Sequence, residues 1–194
     1  GGVDSYMFLN INSEFELTGS FIPSGSREYG TEFTFENGLQ NQWHEPITEN
    51  INFTQHDIIK FPNGNYMGLV PVDSMHIVPY HGSYENQSPF PWEFLFPGIE
   101  FGLPFMWMGQ KIVEWDQDGT EVWSWNAFDH YSLDDFIYIT ESYWNEAKDS
   151  QKPYAWTHFN ALAYNTTDST IYVSSKNLSR ITKIDRKSGD IIWN

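Results

Sequence analysis

Short runs of alternating apolar and polar residues, separated by clusters of turn residues, form the clearest pattern in the last part of the chain. The separating segments are NTTD, KNLS and DRKSG. Asn, Asp, Ser and Gly close tight turns by side-chain capping or by tolerating positive φ. The runs between them are His158–Tyr164, Thr170–Ser175, Arg180–Ile184 and Asp190–Trp193. Four short strands at this spacing predict one antiparallel meander, the unit from which a β-propeller is built.

The same pattern occurs earlier, which indicates an internal repeat. The segment KIVEWDQDGTEVW at 111–123 aligns with RITKIDRKSGDIIW at 180–193, with one extra loop residue in the second copy. Both predict a strand, an Asp-to-Gly turn and a strand that ends in Trp. Upstream, Asn63-Gly64 is a favoured hairpin dipeptide between two further strands at 54–61 and 65–70. Because a repeat of this length decides the fold, we predict an all-β propeller.

The repeat also divides the chain. We assign a partial blade and loop to 3–50, a blade to 51–125 with an insertion at 71–110, a connecting loop to 126–155, and a blade to 156–194. The pattern of residues 3–21 predicts the outer hairpin of a blade that lacks its inner half. Residues 22–50 predict a surface loop that can contain one hairpin, at TEFTFENG, and a short helix is predicted around 142–148. A blade takes roughly 40 to 50 residues and closure takes about four blades or more. The 194 residues therefore predict one partial domain of about two and a half four-stranded antiparallel blades.

Charge and cysteine content exclude several classes of function. Asp and Glu number 26 against 10 Lys and Arg, a formal net charge of −16, which argues against nucleic acid or an anionic membrane as a partner. The absence of Cys excludes disulfides, zinc-thiolate sites and thiol catalysis. The sequence contains no apolar run near the roughly 20 residues of a membrane span and no signal peptide. We expect any targeting segment to precede residue 1.

Candidate chemistry is concentrated in a few polar side chains. His158 and Asn160 lie two apart on a predicted strand, so both are expected to project from one side. An imidazole and an amide can each donate a hydrogen bond to an anionic oxygen, and Lys176, in the turn after the second strand, can lie near the same end. His56 begins a predicted inner strand. Instead of a role in a site, His56 can pack against its neighbours or pair with Asp57.

Other features leave several interpretations open. Asp129-His130 can orient an imidazole or cap a local turn. His76 and His81 lie five apart without a third ligand nearby, so no metal site is predicted. The aromatic insertion at 71–110 can line a pocket for a phenol ring, cover a sheet edge or meet another subunit. The DQDG segment lacks the carboxylate that a calcium-binding EF-hand loop needs at Ala127, so it is predicted to be a turn.

The order of these motifs resembles the PAPS-independent arylsulfotransferase family. The matching motifs are H-x-N at 158–160, SSKN at 174–177, the ID..SG.I.W pattern, QHDIIKFPNGNYM and KIVEWDQDGTEVWSWNAFDH. The resemblance runs from about Thr54 to the C-terminus and is interrupted by the insertion. It implies a six-bladed propeller that moves sulfate from an aryl sulfate to a phenol through a sulfated histidine, without a cofactor. It also implies a periplasmic or extracellular protein.

The resemblance further implies sulfate-binding roles for His56, His158, Asn160 and Lys176. The family usually has Arg in place of Lys176, so this chain offers a point charge where Arg offers a bidentate fork. The family's nucleophilic histidine lies in a later blade, so we expect it beyond Asn194. His56 and His158 are then catalytic candidates only by a different mechanism. We predict weak or no sulfate transfer, with a non-catalytic binding module as the alternative. The expected partners are an aryl sulfate or phenol and further copies of the chain.

Overall fold

In a computed structural model, the regular secondary structure of the described residues is almost entirely antiparallel β-sheet. The structure describes residues 5–11, 17–22, 29–34, 38–43, 56–79, 102, 104–135 and 152–194. The strands are β1 Ser5–Ile11, β2 Leu17–Ile22, β3 Tyr29–Thr34, β4 Gly38–Trp43, β5 Ile58–Lys60, β6 Tyr66–Ile77, β7 Pro104–Trp115, β8 Glu121–Asn126, β9 Tyr154–Ala155, β10 Phe159–Asn165, β11 Thr170–Ser175, β12 Arg180–Asp185 and β13 Ile191–Trp193. Among the residues that the structure describes, one helix, α1, spans Ala127–His130, and a 3₁₀ turn spans Leu133–Asp135.

Three meander sheets follow one another in the part of the chain that the structure describes. Their strand orders are β1-β2-β3-β4, β5-β6-β7-β8 and β10-β11-β12-β13. The two-residue strand β9 adds to the second sheet by parallel pairing with β7. The all-β prediction and the four strands predicted between 156 and 194 are therefore confirmed.

The first sheet is more regular than the sequence expectation of an outer hairpin and a loop that can contain one hairpin at TEFTFENG. All four strands are present, and β3 pairs with β4 from Gly30 opposite Trp43 to Thr34 opposite Gly38. The segments YGTEFT and GLQNQW alternate weakly and contain residues of low strand propensity. Pairing with neighbouring strands, which is not local in sequence, outweighs that propensity.

The central hairpin of the second sheet is also longer than predicted. β6 and β7 have 12 residues each and pair from Tyr66 opposite Trp115 to Ile77 opposite Pro104. Both ends of the predicted insertion at 71–110 are thus strand, while its middle, from 80 to 101, lies outside the described residues. Pro71 is tolerated because β5 pairs with β6 only from Tyr66 to Gly68, so no β5 residue needs an N–H from position 71.

A short helical segment follows β8, where a loop was predicted. The Asn126 side chain caps α1 by accepting a hydrogen bond from the backbone N–H of Phe128 at 3.1 Å. The 3₁₀ turn comes next. The helix predicted around 142–148 lies outside the described residues. No helix in the described part of the chain is long and apolar enough to cross a membrane.

The main core lies between the second and third sheets. Its largest buried side chains include Trp107, Trp125, Trp156 and Phe159. The Trp125 indole N–H donates to the carbonyl oxygen of Gly189 at 2.9 Å, and the Arg186 guanidinium lies 5.6 Å from the Trp123 ring. Both tryptophans of the WSW segment therefore contact the neighbouring sheet.

Candidate functional site

Two histidines that are distant in sequence meet where their sheets begin. His56 lies two residues before β5, and His158 lies directly before β10. Their imidazole rings stack, with centroids 5.4 Å apart and an angle of 16° between the ring planes. His56 is exposed and His158 is half-buried. The structure therefore places one candidate from each sheet side by side.

Both histidines have an unusual backbone conformation. Their φ angles are +70° for His56 and +48° for His158, in the left-handed region that residues with a β-carbon rarely adopt. This conformation costs on the order of 1 kcal/mol or more per residue, so it persists only where the surroundings fix the chain. Hydrogen bonds on the neighbouring residues supply that restraint.

Beside His56, the restraint is the buried carboxylate of Asp57. Its Oδ1 accepts from the backbone N–H of Ile58 at 2.8 Å, and its Oδ2 accepts from the backbone N–H of Leu162 in β10 at 2.7 Å. Asp57 is only 7% exposed. The carboxylate thus joins the second sheet to the third next to the histidine pair.

Beside His158, the restraint is the buried side chain of Gln110 in β7. Its Oε1 accepts from the Thr157 hydroxyl and from the backbone N–H of Phe159 at 3.1 Å. The Thr157 carbonyl in turn accepts from the Ser175 hydroxyl at 2.5 Å. The residues on both sides of His158 are therefore held to the body of the protein, which presents its imidazole from a fixed backbone.

Lys176 joins the two histidines from the turn after β11. Its backbone N–H donates to the carbonyl oxygen of His158 at 3.0 Å. Burial lowers the pKa of His158, and the positive charges of Lys176 and His56 lower it further. Lys176 and His56 thus each act electrostatically on His158. We refer to His56, His158 and Lys176 as the cationic cluster.

Strand alternation, which was expected to put Asn160 beside His158, does not apply to Asn160. The register steps from Phe159 opposite Ser175 to Ala161 opposite Ser174, which makes Asn160 the extra residue of a β-bulge. His158 itself precedes the strand. The alternation rule applies to neither position, and Asn160, which is exposed, remains a candidate by resemblance alone.

The remaining histidines of the described residues take part in aromatic contacts. His130, at the end of α1, stacks on Trp125 with centroids 4.4 Å apart, and His76 stacks on Phe128 at 4.8 Å. His81 lies outside the described residues. Among those that are described, no group of three His, Asp or Glu side chains is arranged to hold a metal ion.

Sequence reasoning missed the roles of Asp57 and Gln110. Asp57 was weighed only as a partner for His56, and Gln110 fell in the predicted insertion. Each acts on a backbone group more than 45 positions away in sequence. The pattern of the neighbouring residues carries no signal of such contacts, because they depend on how two sheets pack.

Comparison with known proteins supports part of the resemblance. A sequence model of the family described as Arylsulfotransferase (ASST) matches residues 107–194. The match begins in β7 and contains His158, Asn160 and Lys176, while His56 lies before it. A search of the curated proteins found no match to the chain.

Proposed function

We propose, on the premise that residues 107–194 are arylsulfotransferase-like, that the cationic cluster binds the sulfate group of an aryl sulfate. The observation that carries the proposal is the convergence of His56, His158 and Lys176 from three separate segments of the chain. In a chain with a formal net charge of −16, three such groups in one place form a local site for an anion.

The chemistry of the three side chains suits a sulfate ester. Two imidazoles can each donate an N–H to a different oxygen of one sulfuryl group, and the Lys176 ammonium adds a charge-assisted hydrogen bond. When the bond between sulfur and the aryl oxygen breaks, the bonding electrons stay with the aryl oxygen, so negative charge develops on the departing phenolate. Fixed donors beside that oxygen stabilise the new charge, while donors on the sulfuryl oxygens hold the group in place. The cluster is thus proposed to bind the donor and to favour its cleavage.

The second part of the proposal concerns transfer of the bound sulfuryl group to a phenol. A nucleophile attacks sulfur, the aryl oxygen leaves with the bonding electrons, and a phenol then takes the sulfuryl group from the covalent intermediate. By resemblance the nucleophile is a histidine, and the protein acts in the periplasm or outside the cell. We expect only trace transfer by the 194-residue chain. The alternative, a binding module without turnover, shares the binding step and lacks the transfer.

Calorimetry tests the binding step. The wild-type chain is titrated with sulfate and with 4-nitrophenyl sulfate at about pH 6, near the unperturbed histidine pKa. His158→Ala and His56→Ala should each weaken binding, while His130→Ala, which alters a histidine stacked on Trp125, should leave it unchanged. Equal affinity in all four proteins, or no binding by the wild type, would contradict the proposal.

An activity assay separates the enzyme from the binding module. Nitrophenolate release from 4-nitrophenyl sulfate is followed with and without phenol. Trace release that depends on phenol and is lost in His158→Ala supports transfer at this site. Binding without any release favours the module. Rapid, phenol-dependent release would show that a competent nucleophile is present, and His56 is then the first candidate to replace.

Self-association is a further part of the proposal. Ile181 and Trp193, on the third sheet, are 54% and 46% exposed. Together with Leu178 and Arg180 they line an open cleft. Exposed apolar side chains of this size favour contact with another chain. Light scattering at micromolar concentration should report a dimer or larger assembly, and a stable monomer would argue against it.

A further inference from the structure

We infer that Asp57 is a positioning residue, whose carboxylate holds His56 against His158 by joining the starts of two sheets. The inference rests on the proposed function insofar as it concerns sulfate binding. Asp57 accepts from the backbone N–H of Ile58 and from that of Leu162. The first hydrogen bond lies within the histidine's own segment, and the second reaches the neighbouring sheet.

The geometry explains why this carboxylate acts on the pair of histidines. Asp57 directly follows His56, and Leu162 lies four residues after His158 on β10. β10 is an edge strand of its sheet, with β11 on one side only. The Leu162 N–H therefore meets Asp57 of the neighbouring sheet. The bridge thus connects the segment that carries His56 to the strand that follows His158, and it holds the two histidines near each other.

The ionised form of the side chain is needed for this bridge. Both oxygens of a carboxylate accept hydrogen bonds, so one Asp can bind two backbone N–H groups at once. An Asn at this position keeps the shape but replaces one acceptor oxygen with an NH₂ donor. That donor would face a backbone N–H, and one of the two hydrogen bonds would be lost. Asp57→Asn therefore breaks the bridge with the smallest change in volume.

The chain offers a matched control in Glu114. Its carboxylate is also buried, at 3% exposure, and it also joins the second sheet to the third, by accepting from Arg186. Glu114 is not part of the cationic cluster. A general loss of contact between the sheets should appear in both Asp57→Asn and Glu114→Gln. A loss of histidine positioning should appear only in Asp57→Asn.

The test uses two readouts on the 194-residue chain. The first is the nuclear Overhauser contact between the ring protons of His56 and His158, which requires no ligand. The second is the dissociation constant for sulfate from calorimetry. We expect Asp57→Asn to lose the ring contact and to weaken sulfate binding about tenfold, the effect of roughly one lost hydrogen bond. Glu114→Gln should keep the ring contact and stay within about twofold of the wild type.

The outcomes distinguish this inference from the proposed function. A ring contact that persists in Asp57→Asn, with unchanged sulfate affinity, would overturn the positioning role. Loss of the ring contact in a chain whose wild type binds no sulfate would support positioning and overturn the proposed function. If Asp57→Asn does not fold, the bridge is tested by amide hydrogen exchange at Leu162 in the wild type. Slow exchange at Leu162, despite its place on an edge strand, supports the bridge, and fast exchange overturns it.

Discussion

Lys176 is held next to His158 through its own backbone. Its N–H donates to the His158 carbonyl, so the position of the turn is fixed relative to the histidine. The side chain is flexible and carries a compact charge, whereas an arginine would offer a planar fork suited to two sulfate oxygens. Replacements at 176 should therefore affect anion binding more than folding.

We predict that Lys176→Ala weakens sulfate binding by about 1 to 3 kcal/mol, the range for a hydrogen bond to a charged group. Lys176→Arg should bind sulfate as well as the wild type or better. Lys187→Ala, which removes an exposed lysine from the turn after β12, is the control. Calorimetry measures all three. Equal affinity in Lys176→Ala and the wild type would remove Lys176 from the site.

The lowered pKa of His158 makes both binding and stability depend on pH, in opposite directions. Burial is the first cause of the shift and favours the neutral imidazole in the folded chain. Sulfate favours the protonated form. Sulfate affinity should therefore fall as pH rises through the folded pKa, which lies below the ordinary value near 6.5. The decline is therefore centred at a lower pH than the value near 6.5 that an unperturbed histidine predicts.

The stability of the fold changes with pH in the opposite direction to sulfate affinity. Between the folded pKa and about pH 6.5, the unfolded chain binds more protons at position 158 than the folded chain does, so stability rises with pH. The contribution is complete above about pH 6.5 and is lost as pH falls through the folded pKa. His158→Gln should remove this part of the slope, while His130→Gln should retain it. Urea unfolding at several pH values measures the difference, and parallel slopes in wild type and His158→Gln would contradict it.

At the scale of elements, two turns of the same kind close the β7-β8 and β12-β13 hairpins. Asp116 Oδ1 accepts from the backbone N–H groups of Asp118 at 3.0 Å and Thr120 at 2.9 Å, and Gly119 has a φ of +81°. In the second turn, hydrogen bonds from the backbone of Ser188, and then of Lys187, hold the pKa of Asp185 below its usual range. The carboxylate and the glycine thus determine each turn.

We predict that Asp116→Ala lowers the free energy of unfolding by about 1 kcal/mol, because two backbone N–H groups lose their acceptor. Water reaches this turn and limits the loss. Asp118→Ala, at the exposed tip of the same turn, should change stability by less than about 0.5 kcal/mol. Urea unfolding of both variants provides the measurement. A larger effect for Asp118→Ala than for Asp116→Ala would contradict the role of the first Asp.

At the scale of the whole molecule, an ion pair between Glu114 of the second sheet and Arg186 of the third links the two sheets. Glu114 is 3% exposed and accepts from Arg186 and from the Asn65 side chain, the latter at 2.7 Å. The Arg186 guanidinium also lies over Trp123. Without Arg186, the carboxylate would stay buried with one neutral donor, which is a costly state.

We therefore predict that Arg186→Met destabilises the fold by about 2 to 3 kcal/mol. The control is Lys111→Met, which removes an exposed ion pair with Glu121 and should cost at most about 1 kcal/mol. The double variant Glu114→Met with Arg186→Met should recover part of the loss, because no charge is then left buried. Chemical unfolding compares the three. Equal costs for Arg186→Met and Lys111→Met would show that the buried pair contributes no more than a surface pair.

The sequence by itself determined the elements whose signals are local. The Asp-to-Gly turns, the Asn63-Gly64 hairpin and the strands of the third sheet follow from turn residues and alternation, and each is present as predicted. The same reasoning left β3 and β4 as one possible hairpin within a loop, and it did not predict the full length of β6 and β7. These segments are polar, glycine-bearing or proline-bearing, and they become strands because neighbouring strands pair with them.

The tertiary structure decided the arrangement of the candidate site. Residue types and resemblance identified His56, His158, Asn160 and Lys176, but the strand rule offered for His158 and Asn160 does not apply to a left-handed residue followed by a bulge. The stacking of His56 on His158, and the bridge from Asp57 to Leu162, depend on how the starts of two sheets are brought together. Packing of that kind brings together residues about a hundred positions apart in sequence. A local sequence pattern carries no information about such long-range proximity.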